Sequence, residues 1–173
     1  MRVFIALPIS GALKNTIKQW RKTYKDLPVR WLEDKNLHIT LVPPWEENDL
    51  PRIEAALRKH PSQIGPQTLE FTETSFGPDS KGPRLIWATG QAPYELSQLR
   101  SSIEKILKRP ITKKPLLQHL TLARFRPHDF PSFPNIDLSK HIHWTDVVDS
   151  FALMESKLLP EGAEYTIIQS FRI

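Results

Sequence analysis

Cysteine is absent from the 173-residue chain, which excludes disulfides, a thiolate nucleophile and any cysteine-ligated zinc. That absence fits a reducing compartment. No apolar run approaches the length needed to span a bilayer. The opening MRVFIALPIS puts a positive residue before an apolar run, as a secretory signal does. The run is short, however, Pro8 interrupts it, and a charged pattern follows with no small-residue cleavage site. It reads as the first strand of the fold, and a cytoplasmic location is expected. Low-complexity tracts and long linkers are also missing, so one domain over residues 1–173 is expected, built as two lobes on a shared core. No glycine-rich phosphate loop occurs, and EGAEY is not one, which argues against ATP dependence.

Proline, by contrast, is plentiful: 16 residues cluster near element ends, where they punctuate chain direction. Lys and Arg total 24 against 19 Asp and Glu, a formal net charge of +5. This modest excess favours a phosphate-bearing partner through long-range attraction, without specifying one.

The chain reads as strands and helices in irregular alternation. RVFIALPI is apolar on both faces, as a central strand is. In SGALKNTIKQWRKTYKDL, Leu13, Ile17, Trp20, Tyr24 and Leu27 make one helical stripe, with Ser10 placed to cap it. VRWL and LHITLV are strand-like runs around a turn at EDKN. A second helix is expected from Leu50 to His60, with Pro51 in its first turn and Ile53 and Leu57 inward. TLEFTETSFG and PRLIWATG read as paired strands around PDSKG. A third helix begins near Pro93, with Leu96, Leu99, Ile103 and Leu107 inward and Pro110 closing it. LLQHLTLARF is strand-like, and VVDSFALMESKLL with AEYTIIQSFRI reads as a terminal hairpin through PEG. The order predicts an α+β fold, with helices packed outside antiparallel sheets, not a doubly wound one.

Two of these strands carry the same pattern. NLHITLVPPW and LLQHLTLARF each hold His, apolar, Thr, Leu, and the histidines at 38 and 119 lie close to half the chain apart. In a strand, residues i and i+2 share a face. His38 and Thr40 therefore sit together, about 7 Å apart along the strand, opposite Leu37, Ile39 and Leu41; His119 and Thr121 sit opposite Leu120 and Leu122. A single copy of the pattern is ordinarily a half-exposed pair on a solvent face. Two copies in the same phase, on two lobes facing one cleft, would put two imidazoles and two hydroxyls around one centre. One imidazole can then accept a proton while the other donates one, and the hydroxyls can donate to phosphate oxygens. Such a site suits in-line displacement at a phosphodiester with no metal or cofactor.

The paired HITL and HLTLAR, with the strands around them, resemble the 2H phosphoesterase superfamily. The similarity is greatest to its RNA 2′,3′-cyclic phosphodiesterase, or 2′-5′ RNA ligase, family, and it runs nearly end to end. The resemblance implies a bilobal α+β fold with both motifs on a central cleft. It implies hydrolysis of an RNA-terminal ribose 2′,3′-cyclic phosphate to a 2′-phosphomonoester, with reversible 2′-5′ joining in some members. Carried over by motif, His38 is the general acid that protonates the leaving 3′ oxygen and His119 is the general base that activates water. Thr40 and Thr121 hold the phosphate. The partner implied is RNA with a cyclic phosphate end, or a related nucleotide, acted on by a monomer away from membranes.

One departure stands out: VPPW follows the first motif where the family usually has Phe-Leu-Gly. Pro43 and Pro44 have no amide hydrogen for a strand ladder. Trp45 then either stacks on a base or anchors the turn in the core. Arg124 matches a family arginine but lies an odd number of residues from His119. It reaches a phosphate only if the strand bulges or ends before it, and otherwise pairs on the surface. Arg126 is compatible with either role. Tyr165 aligns with a tyrosine of the family's last strand and lines the cleft or packs in the hairpin; Ser156 matches by position alone. The basic run Lys105, Lys108, Arg109, Lys113 and Lys114 guides RNA or is a solvated face. HIH at 141–143 has a ligand-like spacing but no carboxylate cluster beside it. Two alternatives remain beside the phosphodiesterase: a non-catalytic RNA-end binder of the same fold, and a phosphodiesterase for small cyclic nucleotides.

Overall fold

The computed structural model describes residues 1–60, 64–138, 141–160 and 162–173. The elements are β1 (Arg2–Pro8), α1 (Gly11–Lys22), β2 (Arg30–Trp31), β3 (His38–Glu46), α2 (Leu50–Arg58), β4 (Gln67–Gly77), β5 (Leu85–Gln91), α3 (Tyr94–Ile106), β6 (Leu117–Arg124), β7 (His141–Val148), β8 (Ser150–Leu159) and β9 (Gly162–Arg172). One sheet has the order β3-β1-β8-β9 and the other β2-β6-β5-β4-β7, with every pairing antiparallel. The expected α+β architecture is the one the chain adopts.

The two halves repeat one plan. In the first, β1 runs into α1 and the chain returns as β3 beside β1; in the second, β5 runs into α3 and returns as β6 beside β5. Both helices obey the same physics. Leu13 and Ile17 are the buried face of α1, whose N-terminus is capped by Ser10 Oγ accepting from the Leu13 amide at 3.1 Å. Leu96, Leu99 and Ile103 are the buried face of α3. α1 stops at Lys22, so Tyr24 and Leu27 reach the core from the turns that follow, not from the helix. α2 ends at Arg58, two residues short of the expected end.

The first sheet packs apolar side chains on both faces. Along β1, Val3, Ile5 and Leu7 enter the main core, while Phe4 and Ala6 join Ala152 and Met154 of β8 in a small second cluster beneath Tyr165. That explains why RVFIALPI carries no polar position after its arginine: β1 is central, with apolar contacts above and below. Each buried Leu, Ile or Phe of this kind contributes about 1.5–3 kcal/mol.

One expectation is corrected by the strands after residue 140. VVDS does not begin the terminal hairpin. β7 pairs with β4 in the second sheet, Asp149 breaks the chain direction, and β8 starts in the first sheet. His141 and His143 are exposed on β7, and among the described residues no three His, Cys, Asp or Glu side chains are grouped to hold a metal. No helix among the described residues is long and apolar enough to cross a membrane.

Candidate active site

β3 and β6, the strands carrying the two motifs, approach each other between the sheets. His38, Thr40, His119 and Thr121 all line one cavity of about 150 Å³, with Phe4, Asn36, Arg124 and Tyr165 also on its wall. Cross-strand pairing explains the shared orientation, because residues directly opposite in a sheet point to the same side. Thr40 is opposite Ala6, which belongs to the small cluster on the cleft side; Ile39 is opposite Leu7 and Val42 opposite Ile5, both in the main core. On β6, His119 is opposite Thr89 and Thr121 opposite Trp87.

Both strands bulge just past the threonine. Between the Ala6–Thr40 and Ile5–Val42 pairs β3 has one extra residue, Leu41. Between the Trp87–Thr121 and Ile86–Ala123 pairs β6 has one extra residue, Leu122. Consecutive residues are consequently buried after each motif, Leu41 with Val42 and Leu122 with Ala123. A bulge inverts the in-out alternation beyond it. Arg124, on the wrong face by strict alternation, is thereby returned to the face of His119 and Thr121 and lines the cavity.

The two imidazoles are held alike. His38 Nδ1 lies 2.9 Å from the carbonyl oxygen of Asn36, and His119 Nδ1 lies 3.1 Å from that of Leu117. A carbonyl only accepts, so Nδ1 carries the hydrogen in each ring and Nε2 is left for proton transfer. Each ring also rests against an aromatic from the neighbouring strand: His38 against Phe4, with centroids 4.9 Å apart, and His119 against Trp87 at 5.5 Å. Trp87 lies over Gly77, where any Cβ would collide with its indole, and its Nε1–H donates to Ser75 Oγ at 2.9 Å. Tyr165 completes the wall around His38, edge-on at 4.9 Å.

Electrostatics acts strongly on His38. Burial against Phe4 and Tyr165 lowers the pKa of His38 from 6.5 to about 4; the Asn36 carbonyl opposes that shift, and the charges of His119 and Arg124 add to it. His38 is therefore neutral near pH 7 when the cavity holds no anion. Asn36 holds more than the ring. Its Oδ1 accepts from the Tyr165 amide at 3.0 Å and its Nδ2 donates to the Ala163 carbonyl at 3.3 Å, tying the turn before β3 to β9.

The chain that carries these two His-x-Thr strands has relatives. The sequence model of the 2′-5′ RNA ligase superfamily matches residues 9–155. The chain belongs to that superfamily. A protein named RNA 2′,3′-cyclic phosphodiesterase from Archaeoglobus fulgidus is 29% identical and covers 99% of both chains. One of the same name from Thermus thermophilus is 30% identical over 79% of this chain and 72% of its own. Among solved structures, TT0787 of Thermus thermophilus superposes with a TM-score of 0.76 at 23% identity, covering 99% of this chain and 97% of its own. The apo form of E. coli LigT gives 0.74 at 20%, covering 99% and 96%. These two likenesses are of fold.

The other residues singled out in the sequence fall in different places. Trp45 does not reach the cleft. It is opposite Val3 and so turned to the main core, where it is buried, with its Nε1–H donating to Glu47 at 3.1 Å and the Arg109 guanidinium 4.6 Å from its ring centre. The stacking surface considered for Trp45 is not offered to the cavity; Pro44 lines it instead. Ser156 is buried on β8 opposite Tyr165. Arg126 lies beyond the end of β6, and Lys105, Lys113 and Lys114 are exposed away from the cavity wall.

Reading by motif missed Asn36 and Phe4. Asn36 stands two residues before His38, and its hydrogen bonds run to β9, far along the chain. Phe4 had a local signal, being the one aromatic in an apolar run otherwise of aliphatic residues and Pro8.

Proposed function

We propose that this protein opens ribose 2′,3′-cyclic phosphates at RNA ends, using its two histidines as an acid–base pair without a metal. The enzyme class, a phosphodiesterase, follows from the superfamily and from relatives named RNA 2′,3′-cyclic phosphodiesterase. The observation that carries the mechanism is the convergence of both His-x-Thr pairs on one cavity.

The cyclic phosphate sits between the imidazoles, its non-bridging oxygens taking hydrogen bonds from Thr40 and Thr121 and the charge of Arg124. His119 Nε2 accepts a proton from water as the oxygen attacks phosphorus. The bond from phosphorus to the 3′ oxygen breaks in line, and His38 gives its proton to that oxygen. The product is a 2′-phosphomonoester beside a 3′-hydroxyl. Because His38 is neutral in the free protein, its proton arrives with the substrate anion, whose charge offsets those of His119 and Arg124. With a 5′-hydroxyl in place of water, the same two transfers join RNA ends through a 2′-5′ linkage. Both motifs come from one chain, so a monomer suffices, and the cytoplasm is the compartment this reading assigns.

The low proton affinity of His38 favours a second reading in which the roles are exchanged, with His38 as base and His119 as acid. The test of the function itself is product analysis on a short oligonucleotide ending in a 2′,3′-cyclic phosphate, with EDTA present. Formation of a 2′-phosphate end is expected. A 3′-phosphate end, or no reaction, contradicts the proposal.

A further inference from the structure

Beside the histidine cavity lies a wider groove of about 310 Å³ that shares Leu32, Asn36, Arg124 and Tyr165 with it but contains neither imidazole. Its walls come from β2, the turn before β3, and the β8–β9 hairpin. Two arginines stand side by side in its wall: Arg30 on β2 is the register partner of Arg124 on β6. Antiparallel partners are about 5 Å apart at Cα, and like charges in that relation repel. Neither guanidinium makes an ion pair or hydrogen bond with another described residue. The two carboxylates among the groove's described residues are both held by Lys35 Nζ, Glu164 at 2.5 Å and Glu33 at 3.4 Å.

Arg30 also has a seat. Gly162, at the start of β9, has φ +132°, a conformation side chains rarely adopt, and a Cβ there would overlap the Arg30 guanidinium. The hairpin therefore leaves room for the arginine head against its backbone, at the mouth of the groove. Two guanidiniums with no acidic partner among the described residues, continuous with the cavity of the two histidines, call for a second anion.

We propose that this groove binds the phosphodiester linking the last two nucleotides of the RNA, with Arg30 as its ligand and Arg124 shared between that phosphate and the terminal one. The proposal rests on the terminal phosphate occupying the histidine cavity. It makes Arg30 the residue that distinguishes an RNA strand from a mononucleotide. Arg124 alone faces both anions, and Arg30 faces only the second.

The test is equilibrium binding of a labelled trinucleotide ending in a 2′-phosphate, compared with the same molecule carrying a neutral methylphosphonate at its last linkage. The native protein is expected to prefer the charged linkage about tenfold, as befits one charge-assisted contact. In Arg30→Gln that preference is expected to collapse, and in Arg30→Lys to survive in part, because a point charge replaces a planar fork. Arg30 is exposed, and thermal melting of both variants checks the fold. Equal preference in the native protein and Arg30→Gln, or no preference in the native protein, overturns the proposal. Binding is read without turnover, so loss of the phosphodiesterase reading in the cyclic-phosphate assay and loss of this subsite are separate results.

Discussion

The amide of Tyr165 on β9 donates to the side chain of Asn36, and the backbone carbonyl of Asn36 accepts from the ring of His38. One residue thus sets both the tautomer of a proposed acid and the position of the aromatic beside it. Asn36 is buried, so removing its side chain leaves the Tyr165 amide without a partner, at a cost of about 1–3 kcal/mol. Asn36→Ala is expected to melt lower and to lose turnover beyond what the melting accounts for. Asn36→Asp keeps the acceptor for Tyr165 and adds a negative charge near His38, which favours the imidazolium. The acid limb of its rate profile should move up in pH relative to the native protein; an unmoved limb would separate Asn36 from His38.

The pH dependence of kcat/KM follows from His38. The free protein should give a bell with its lower limb near pH 4, set by the buried ring. Either assignment of acid and base gives that shape, because the two protonation states carry the same net proton count. A lower limb near 6.5 would show His38 to be unburied in solution.

Stability changes with pH for the same reason. Below about 6.5 the unfolded chain takes up a proton at His38 that the folded chain refuses until about pH 4. The unfolded state binds more protons in that window, so this group lowers stability as pH falls through it and has no such effect above it. Its full contribution is up to about 3 kcal/mol. Chemical denaturation of the native protein and His38→Leu at pH 7 and pH 4.5 measures it: the variant should lose less stability on acidification. Parallel losses in both proteins would contradict the burial of that imidazole.

Roles within the histidine pair are separated by the leaving group. A cyclic substrate with sulfur at the bridging 3′ position departs as a thiolate, which needs no proton. If His38 is the acid, His38→Ala should recover most of its lost activity on the sulfur substrate, while His119→Ala should not. Recovery by His119→Ala instead would establish the exchanged roles.

Arg124→Ala should raise KM for cyclic phosphates by about tenfold or more, the worth of a charged contact to phosphate. It should also make His38 easier to protonate, because one facing positive charge is gone. An unchanged KM would place the guanidinium outside the phosphate site despite its position on the cavity wall.

Strand phase makes the paired histidines and threonines legible, since alternation is local and each motif precedes its bulge. Arg124 is ambiguous from sequence because one extra residue at Leu122 reverses every face beyond it, and bulges depend on the partner strand. Trp45 is ambiguous for a similar reason: its side is decided by Val3 across the sheet, not by its neighbours Pro43 and Pro44, and of its two readings the core one holds. β7 is hidden because the break at Asp149 divides a run that is strand-like throughout. Arg30 and Gly162 meet only through the folding of β2 against the last hairpin, a contact no local pattern encodes.

Two imidazoles are expected to close on one anion. Ring signals of His38 and His119, followed by NMR while a 2′-phosphomononucleotide is added, test it most directly. Both rings should shift together with a single dissociation constant, and His119→Ala should alter the response of His38. Movement of one ring alone, or two rings saturating at different concentrations, would show that the imidazoles do not share an anion.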